Sequence, residues 1–362
     1  MKRVTPRQIK QFNHDLLDWF HRNGRSLPWR ETNNPYYIWV SEIMLQQTQV
    51  DTVIPYYNQF IKHFPTVEAL ADASEESALK SWEGLGYYSR VRNLQTGVRE
   101  VVASYGGQVP DNKKDLLSIR GIGPYTAGAL LSIAFGEPEP AVDGNVMRVM
   151  SRIFLIDDDI AKVKTRKKFE SVVRELIVEA DPSSFNQCLM DLGAMVCHPK
   201  NPDCAECPVQ CYCRAYDEGV QTEYPFKSGK TKVKTADYAV LLLKDSKGRL
   251  LIERRADSGL LAGFWQFPMV DRSVEGKAAF QKKVCEKIGQ SVKLKKESFT
   301  YTHRFSHLIW NLSLYSGEFQ GDTDNPEKGW QWLPVSEFEK RPFPVPFLKI
   351  IDWLKKNRRN DT

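Results

Sequence analysis

The stretch LLSIRGIGPYTAGALLSIAFG, residues 116–136, decides the fold of the first part of this chain. A short helix should end at Ile119 or Arg120. Gly121-Ile122-Gly123 then permits a tight turn with positive φ and close approach of the backbone. Pro124 suits the first position of the next helix, where its missing N–H costs nothing. The small residues Ala127, Gly128 and Ala129 allow the two helices to pack closely. Such a turn aims backbone N–H groups from a helix N-terminus, an arrangement that favours a phosphate oxygen. Around it, from Thr5 to about Gly219, FNHDLLDWFHRN, PYYIWVSEIMLQQTQV, ALADASEESALKSWE and RKKFESVVRELIVEA carry apolar residues at helical spacing, punctuated by Gly and Pro.

The character changes after Tyr224. YPFKSGKTKVKT, residues 224–235, has four lysines with Pro, Gly and Ser and reads as a linker. YAVLLLKDSKGRLLIERR then reads as two strands about a turn at Asp245 to Gly248, and FTYTHRFSHLIWNLSLYSGEF as strand, turn, strand. GWQWLPVSEF and a helix, FLKIIDWLKKN, follow. The expected organisation is multidomain: a helical domain over residues 1–219, a linker over 220–235, and an α+β domain over 236–362.

The chain has 362 residues and a formal net charge of +6, an excess that a polyanionic partner would explain. The N-terminal residues have no apolar core of signal-peptide type, and the longest aliphatic run, Val240 to Leu243, is far too short to span a bilayer. The expectation is a cytoplasmic protein without a membrane partner. In that reducing setting seven cysteines are not a disulfide framework. Five of them fall in CHPKNPDCAECPVQCYC: Cys197, Cys204, Cys207, Cys211 and Cys213. Four thiolates fill a zinc site or carry an iron–sulfur cluster, so one is surplus. Cys188 and Cys285 read as buried apolar fillers. Lys200 and Arg214, beside the run, suit a phosphate contact or plain solvation.

Helix–GIG–Pro–helix, followed by C-x6-C-x2-C-x5-C at Cys197, Cys204, Cys207 and Cys213, resembles the helix-hairpin-helix DNA glycosylases, the superfamily of endonuclease III and the adenine DNA glycosylases. The resemblance implies an all-α glycosylase domain with one [4Fe–4S] cluster on those four cysteines, and leaves Cys211 spare. In PAVDGNVMRVMSRIF, Asp143 taken alone is a turn former before a helix, with Asn145 as its N-cap. The resemblance makes Asp143 the catalytic aspartate. Bifunctional glycosylase/lyases of the superfamily carry a lysine in the hairpin, which attacks the sugar as an amine. Here Tyr125 stands in that stretch, and a tyrosine forms no Schiff base. A monofunctional enzyme is expected.

SEIMLQQTQV resembles the adenine glycosylase motif, which makes Glu42 the acid that protonates the leaving base. Ile38 and Leu45, one helical turn to either side, supply an apolar setting that raises a carboxyl pKa. By the same resemblance Trp29, Arg30 and Gln187 line the adenine pocket, and Tyr125 and Asn145 support the two carboxyl groups. Gln47, Thr48, Leu85 and Tyr87 contact the duplex and the opposite base once the target nucleotide is flipped out. Gly121 and Gly123 face the DNA backbone.

GLLAGFWQFPMVD and its neighbouring strands resemble the Nudix-like C-terminal domain of adenine DNA glycosylases. Glu275 and Glu286 are present, but the glutamate-rich core of working Nudix enzymes is not, so recognition rather than hydrolysis is expected. HRFSHL offers His303, Phe305, Ser306 and His307 to a base that the resemblance implies is 8-oxoguanine. The expected function is hydrolysis of the N-glycosidic bond of adenine mispaired with 8-oxoguanine or guanine in duplex DNA, by a monomer. Two rivals remain: a bifunctional pyrimidine or mismatch glycosylase/lyase, and a non-catalytic iron–sulfur DNA-binding sensor.

Overall fold

Side-chain caps start several helices of the first half. Thr5 opens the Pro6–Asn23 helix in a capping box with Gln8, and Asn112, Asp143 and Asp181 open the Lys113–Ser118, Gly144–Phe154 and Pro182–Met195 helices. The computed structural model describes residues 5–229, 233–273, 276–321, 323–324, 326–327 and 329–358. It separates into two compact units. One comprises the chain up to Ala73 with Ser89–Gly229; the other comprises Ser74–Tyr88 with the chain beyond Gly229.

In the first unit, Phe12, Leu16 and Trp19 project from one face of their helix. They pack with Val146, Met150, Ile153, Phe185 and Leu189 in one core. The Gly144–Phe154 helix runs through this core and is buried on nearly every side, Arg148 and Arg152 included. A buried guanidinium needs acceptors. Arg152 donates to the carbonyls of His198, Pro199 and Tyr224 and lies 3.2 Å from Cys197 Sγ. Arg148 donates to the carbonyls of Cys197 (2.8 Å) and Gly193 (2.6 Å). The helix that starts at Asp143 is thereby tied to the cysteine-bearing loop.

The hairpin joins Lys113–Ser118 to Pro124–Ala129, with Pro124 in the first turn of the second helix. Gly121 has φ +85°, whereas Gly123 is extended, so the left-handed region is needed at the first glycine alone. The second helix runs on into a π-helical turn, Leu130–Ala134. Gly128 does not serve helix–helix packing as expected. A Cβ there would lie 2.0 Å from the carbonyl oxygen of Pro140. It lets the hairpin approach the backbone just before Asp143. Asn186 fixes that same backbone, accepting from Ala141 N–H (3.0 Å) and donating to the Glu139 carbonyl (2.9 Å).

Two apparently continuous helical patterns are broken. Residues 35–50 divide into Pro35–Leu45 and a second helix that starts at Val50, with Gln47 at φ +61° between them. Residues 69–83 divide at Ser74, whose hydroxyl caps Glu75–Ser81 by accepting from Ser77 N–H. A local side-chain acceptor competes with the helix, and periodicity does not register it.

The second unit holds a mixed sheet. Its strands are β1 (Lys234–Lys244), β2 (Leu250–Arg254), β3 (Trp265–Gln266), β4 (Met269–Asp271), β5 (Lys295–Arg304), β6 (Leu308–Glu318) and β7 (Trp330–Leu333). The order is β3-β2-β1-β6-β5, with β4 on β1 and β7 on β2. β1 and β2 form the expected hairpin, and Asp245 accepts from Lys247 and Arg249 N–H in its turn. β1 runs parallel to β6, which the local pattern does not encode. The run Ala239–Leu243 is buried on both faces. Ala239, Leu241 and Leu243 pack with Phe280 and Val284 of the Lys277–Ile288 helix, and Val240 and Leu242 point the other way.

Of the stretch expected as a linker, Phe226 accepts from Ile160 N–H (3.0 Å) and Ser228 bonds to Asp159, while β1 begins at Lys234. Glu275 lies outside the described residues. Glu286 sits on the surface of its helix, 3.9 Å from Lys282.

Gly128→Ala should lower stability by about 1–3 kcal/mol, the usual range for overpacking, because the obstacle is backbone rather than a movable side chain. Urea unfolding of the variant checks this; an unchanged midpoint would contradict the close approach.

Candidate active site

The first unit encloses a cavity of about 930 Å³. Trp29, Arg30, Glu42, Gln47, Thr48, Gly121, Gly123, Tyr125, Asp143, Asn145 and Gln187 all line it. Segments far apart in sequence meet here, since Trp29 and Gln187 share the wall.

Glu42 sits on the Pro35–Leu45 helix and is 4% exposed. Burial pushes its carboxyl up to about 7. The bond from the Tyr125 hydroxyl (2.5 Å) and the charge of Arg30 pull the other way, while the nearby Asp143 carboxylate adds to the rise. A carboxylic acid that keeps its proton near neutrality can donate it. Tyr125 is itself held neutral, well above its usual range, by burial and by the two carboxyl groups. Its hydroxyl also lies 3.8 Å from Met190 Sδ.

Asp143 is the N-cap of the Gly144–Phe154 helix. Asn145, expected in that role, stands inside the first turn instead. Asp143 has the extended backbone a cap needs, and its Oδ1 accepts from Val146 N–H (2.7 Å). Asn145 Nδ2 donates to Asp143 Oδ2 (3.1 Å), and Arg148 donates to Asn145 Oδ1 (2.9 Å). Burial raises the Asp143 carboxyl above its ordinary value; the Val146 and Asn145 bonds and the charge of Arg148 limit that rise. Gly193 gives Asn145 its room, because a Cβ on Gly193 would come within 2.6 Å of Asn145 Cβ.

Trp29 is 5% exposed and meets Tyr57 edge-on at 5.2 Å. Gln187 donates to Ser183 Oγ (3.0 Å). Arg30 forms a bidentate pair with Asp191, at 2.8 and 3.0 Å, which Arg25 shares. Asp191 is fully buried, yet the two guanidiniums outweigh the burial and hold its carboxyl below the usual range. The sequence reading missed Asp191, Arg25, Arg90, Arg148 and Arg166. Asp191 carried a signal, an acid four residues after Gln187 on the same helical face. Arg90 carried none. It is buried and donates to the carbonyls of Ile43, Met44 and Gln46 and to Thr48 Oγ1, closing the end of the Glu42 helix. Arg166 lines the cavity from the basic Val163–Ile177 helix.

Other predicted residues lie elsewhere. Leu85 and Tyr87 belong to Ser74–Tyr88 in the second unit; Leu85 is buried, while Tyr87 is exposed with φ +47°. Phe305, Ser306 and His307 form the tip of the β5–β6 hairpin, closed by Phe305 N–H on the Leu308 carbonyl (2.8 Å). His303, Phe305 and Trp310 stack edge-on in series, and burial lowers the His303 pKa.

Cys197, Cys204, Cys207 and Cys213 line one small cavity in the first unit; Cys211 is exposed and does not line it. Arg152 points a donor at Cys197 Sγ, which suits a thiolate. Among the described residues no three His, Cys, Asp or Glu side chains converge tightly enough for a single metal ion. Four thiols around one cavity are the donor set of a sulfur-ligated metal site or cluster. Among the described residues no helix is long and apolar enough to cross a membrane.

Residues 40–175 match the model of the HhH-GPD superfamily base excision DNA repair proteins, and residues 239–353 match the NUDIX domain. The chain is 33% identical to the adenine DNA glycosylase of Rattus norvegicus over 97% of its own length and 79% of the relative's. The chain belongs to the adenine DNA glycosylase family. The adenine DNA glycosylase of Buchnera aphidicola subsp. Schizaphis graminum is 32% identical, with 96% of this chain and 99% of the relative aligned. A thermostable thymine-DNA glycosylase superposes with a TM-score of 0.53 at 28% identity, over 59% of this chain and 98% of that one. A trapped endonuclease III–DNA covalent intermediate superposes with a TM-score of 0.51 at 23% identity, over 60% and 99%, which shows the shared fold. As an adenine DNA glycosylase of base excision repair, the protein hydrolyses an N-glycosyl bond in DNA.

The Glu42 carboxyl of this glycosylase should be protonated below, and ionised above, a midpoint of about 7. Infrared difference spectra against Glu42→Gln would follow the carboxylic C=O band disappearing as pH rises. Tyr125→Phe removes a bond that favours the charged form, so the midpoint should move higher. A midpoint in the ordinary carboxylate range would contradict burial as the dominant cause.

Proposed function

We propose that the enzyme removes adenine mispaired with 8-oxoguanine or guanine in duplex DNA, with Glu42 as acid and Asp143 as the sugar's counter-ion. The observation that carries this is a buried Glu42, hydrogen-bonded by the Tyr125 hydroxyl, in one cavity with Asp143. Adenine leaves poorly as an anion. Glu42 transfers its proton to the flipped base as the C1′–N9 bond breaks, and the bonding pair departs with a neutral leaving group. The carboxylate left on Glu42 is stabilised by the Tyr125 hydroxyl. Positive charge on the sugar faces Asp143, which then takes a proton from the water that adds at C1′. Asn145 orients Asp143.

Trp29, Arg30 and Gln187 hold the adenine, and Arg30 is itself fixed by Asp191. Gln47 and Thr48 contact the duplex from the turn after the Glu42 helix. Gly121 and Gly123 bring backbone N–H groups to a phosphate. Leu85 and Tyr87, with His303, Phe305, Ser306 and His307, read the opposite base. The Nudix-like domain recognises and does not hydrolyse. We further infer a monomer acting in the cytoplasm.

The thiols of Cys197, Cys204, Cys207 and Cys213 would hold one [4Fe–4S] cluster, and no step of the hydrolysis needs an electron. Bound there, the cluster would pin the loop whose carbonyls receive Arg148 and Arg152. Iron content should survive Cys211→Ser and fall in Cys204→Ser; equal iron in both purified variants would contradict the assignment.

The rivals differ in product and in mutant behaviour. A glycosylase/lyase would be trapped on DNA by borohydride through a lysine, with strand cleavage; Tyr125 in the hairpin argues against it. A non-catalytic sensor would tolerate Glu42→Gln. The deciding experiment is adenine release from a panel of mispaired duplexes. Glu42→Gln and Asp143→Asn should each lose at least about 10²-fold in rate while still binding DNA, the usual size for a general acid or a charge stabiliser. Retained release in either variant would refute the role of that carboxyl group.

A further inference from the structure

Ser74–Tyr88 lies in sequence among the helices of the first unit but packs with the second. The bonds that hold it there are specific. Glu83 Oε1 accepts from Phe343 N–H (2.6 Å), and its Oε2 pairs with Lys80 (2.7 Å), which in turn donates to the Arg341 carbonyl (3.1 Å). Glu76 Oε1 accepts from the indole N–H of Trp265 (2.9 Å) and lies 3.6 Å from the Arg341 guanidinium. The Tyr88 ring packs against Phe264 at a tilt, with centroids 4.2 Å apart, and both are buried.

From Phe264 the contacts continue to the hairpin tip. Arg255 N–H donates to the Phe264 carbonyl (2.8 Å), and the Arg255 guanidinium lies over Trp310 at 5.7 Å. Trp310, 3% exposed, meets Phe305 edge-on at 5.0 Å. Arg255 also donates to Gln266 Oε1 (2.6 Å), which fixes its direction. An unbroken series of packed groups therefore joins the segment bearing exposed Tyr87 to the tip bearing Phe305, Ser306 and His307.

We propose that Ser74–Tyr88 and the β5–β6 hairpin act as one reader of the base opposite adenine, with Glu83 and Arg255 as positioning residues that hold Tyr87 and Phe305 in a common frame. This rests on the reading that Tyr87 and the hairpin tip face that base. Two short apolar contacts from separate segments discriminate a small change on a base only if their spacing is fixed. Neither Glu83 nor Arg255 needs to touch DNA. Their effect falls on the preference between opposite bases, not on bond cleavage.

The test uses the full chain and single-turnover adenine release from two duplexes, with 8-oxoguanine or guanine opposite adenine. Glu83→Ala should lower the preference for 8-oxoguanine by about fivefold or more, the size of coupling expected within one contact network, with the rate on the guanine duplex within about twofold of the parent. Glu83→Gln keeps an acceptor for Phe343 N–H and should restore the preference. Glu83→Ala combined with Tyr87→Ala should add nothing to Tyr87→Ala alone. Arg255→Met probes the same frame from its other end, should Glu83→Ala fold poorly. Parent preference in Glu83→Ala and Arg255→Met, with a lowered preference in Tyr87→Ala, overturns the common frame and leaves the opposite-base reading standing. Parent preference in Tyr87→Ala overturns both. Equal loss of rate on the two duplexes also overturns the proposal, since it reports general destabilisation.

Discussion

A helix buried on almost every side must satisfy its polar groups without water, and the Gly144–Phe154 helix sets the terms for the rest of the first unit. Its N-terminal amides take Asp143 as their cap. Its two arginines take the carbonyls of the cysteine loop. At Asn145 the neighbouring helix must be small, which Gly193 provides. The same carboxylate that starts the helix faces the cavity, so the element cannot shift along its axis without moving the charge at the site. Packing and chemistry share one side chain.

The buried carboxyl groups in and behind the cavity wall have opposed demands set on them, and each is met by different neighbours. Glu42 is surrounded by apolar helix and one phenol, so its neutral form is favoured. Asp191, equally buried, has two guanidiniums and stays charged. Asp143 lies between these cases, with burial set against a backbone amide, an amide side chain and Arg148. Three buried acids thus differ in proton affinity because their partners differ, not their depth.

Much of this was legible in sequence. The glycine turn, Pro124, the cysteine spacing and the strand-like runs of the second unit are local signals, and local signals survive folding. The misses have a common cause. Gly128 reads as a helix–helix contact, but its partner is the Pro140 backbone, which lies outside the hairpin. Asn145 and Asp143 are both competent caps, and Asp143 is the one that serves; the chain just before it is held by Asn186, 45 residues downstream of Ala141. Arg90 closes a helix through the Met44 carbonyl, 46 residues upstream, and β1 lies parallel to β6, neighbours that only the assembled fold supplies. Ser74–Glu83 reads as helix and Glu75–Ser81 is one, yet nothing local says which unit will claim the segment.

The turn between the Pro35–Leu45 and Val50 helices has a consequence for binding. Gln47 adopts a left-handed backbone, a conformation that costs a non-glycine residue about 1 kcal/mol or more. Arg90 holds it by gripping three carbonyls at the turn. The conformational entropy of this loop is therefore surrendered during folding, before any duplex arrives. A loop ordered in advance loses little further freedom on contact, so the duplex contact proposed for Gln47 and Thr48 should depend on shape and charge rather than on the cost of ordering a coil.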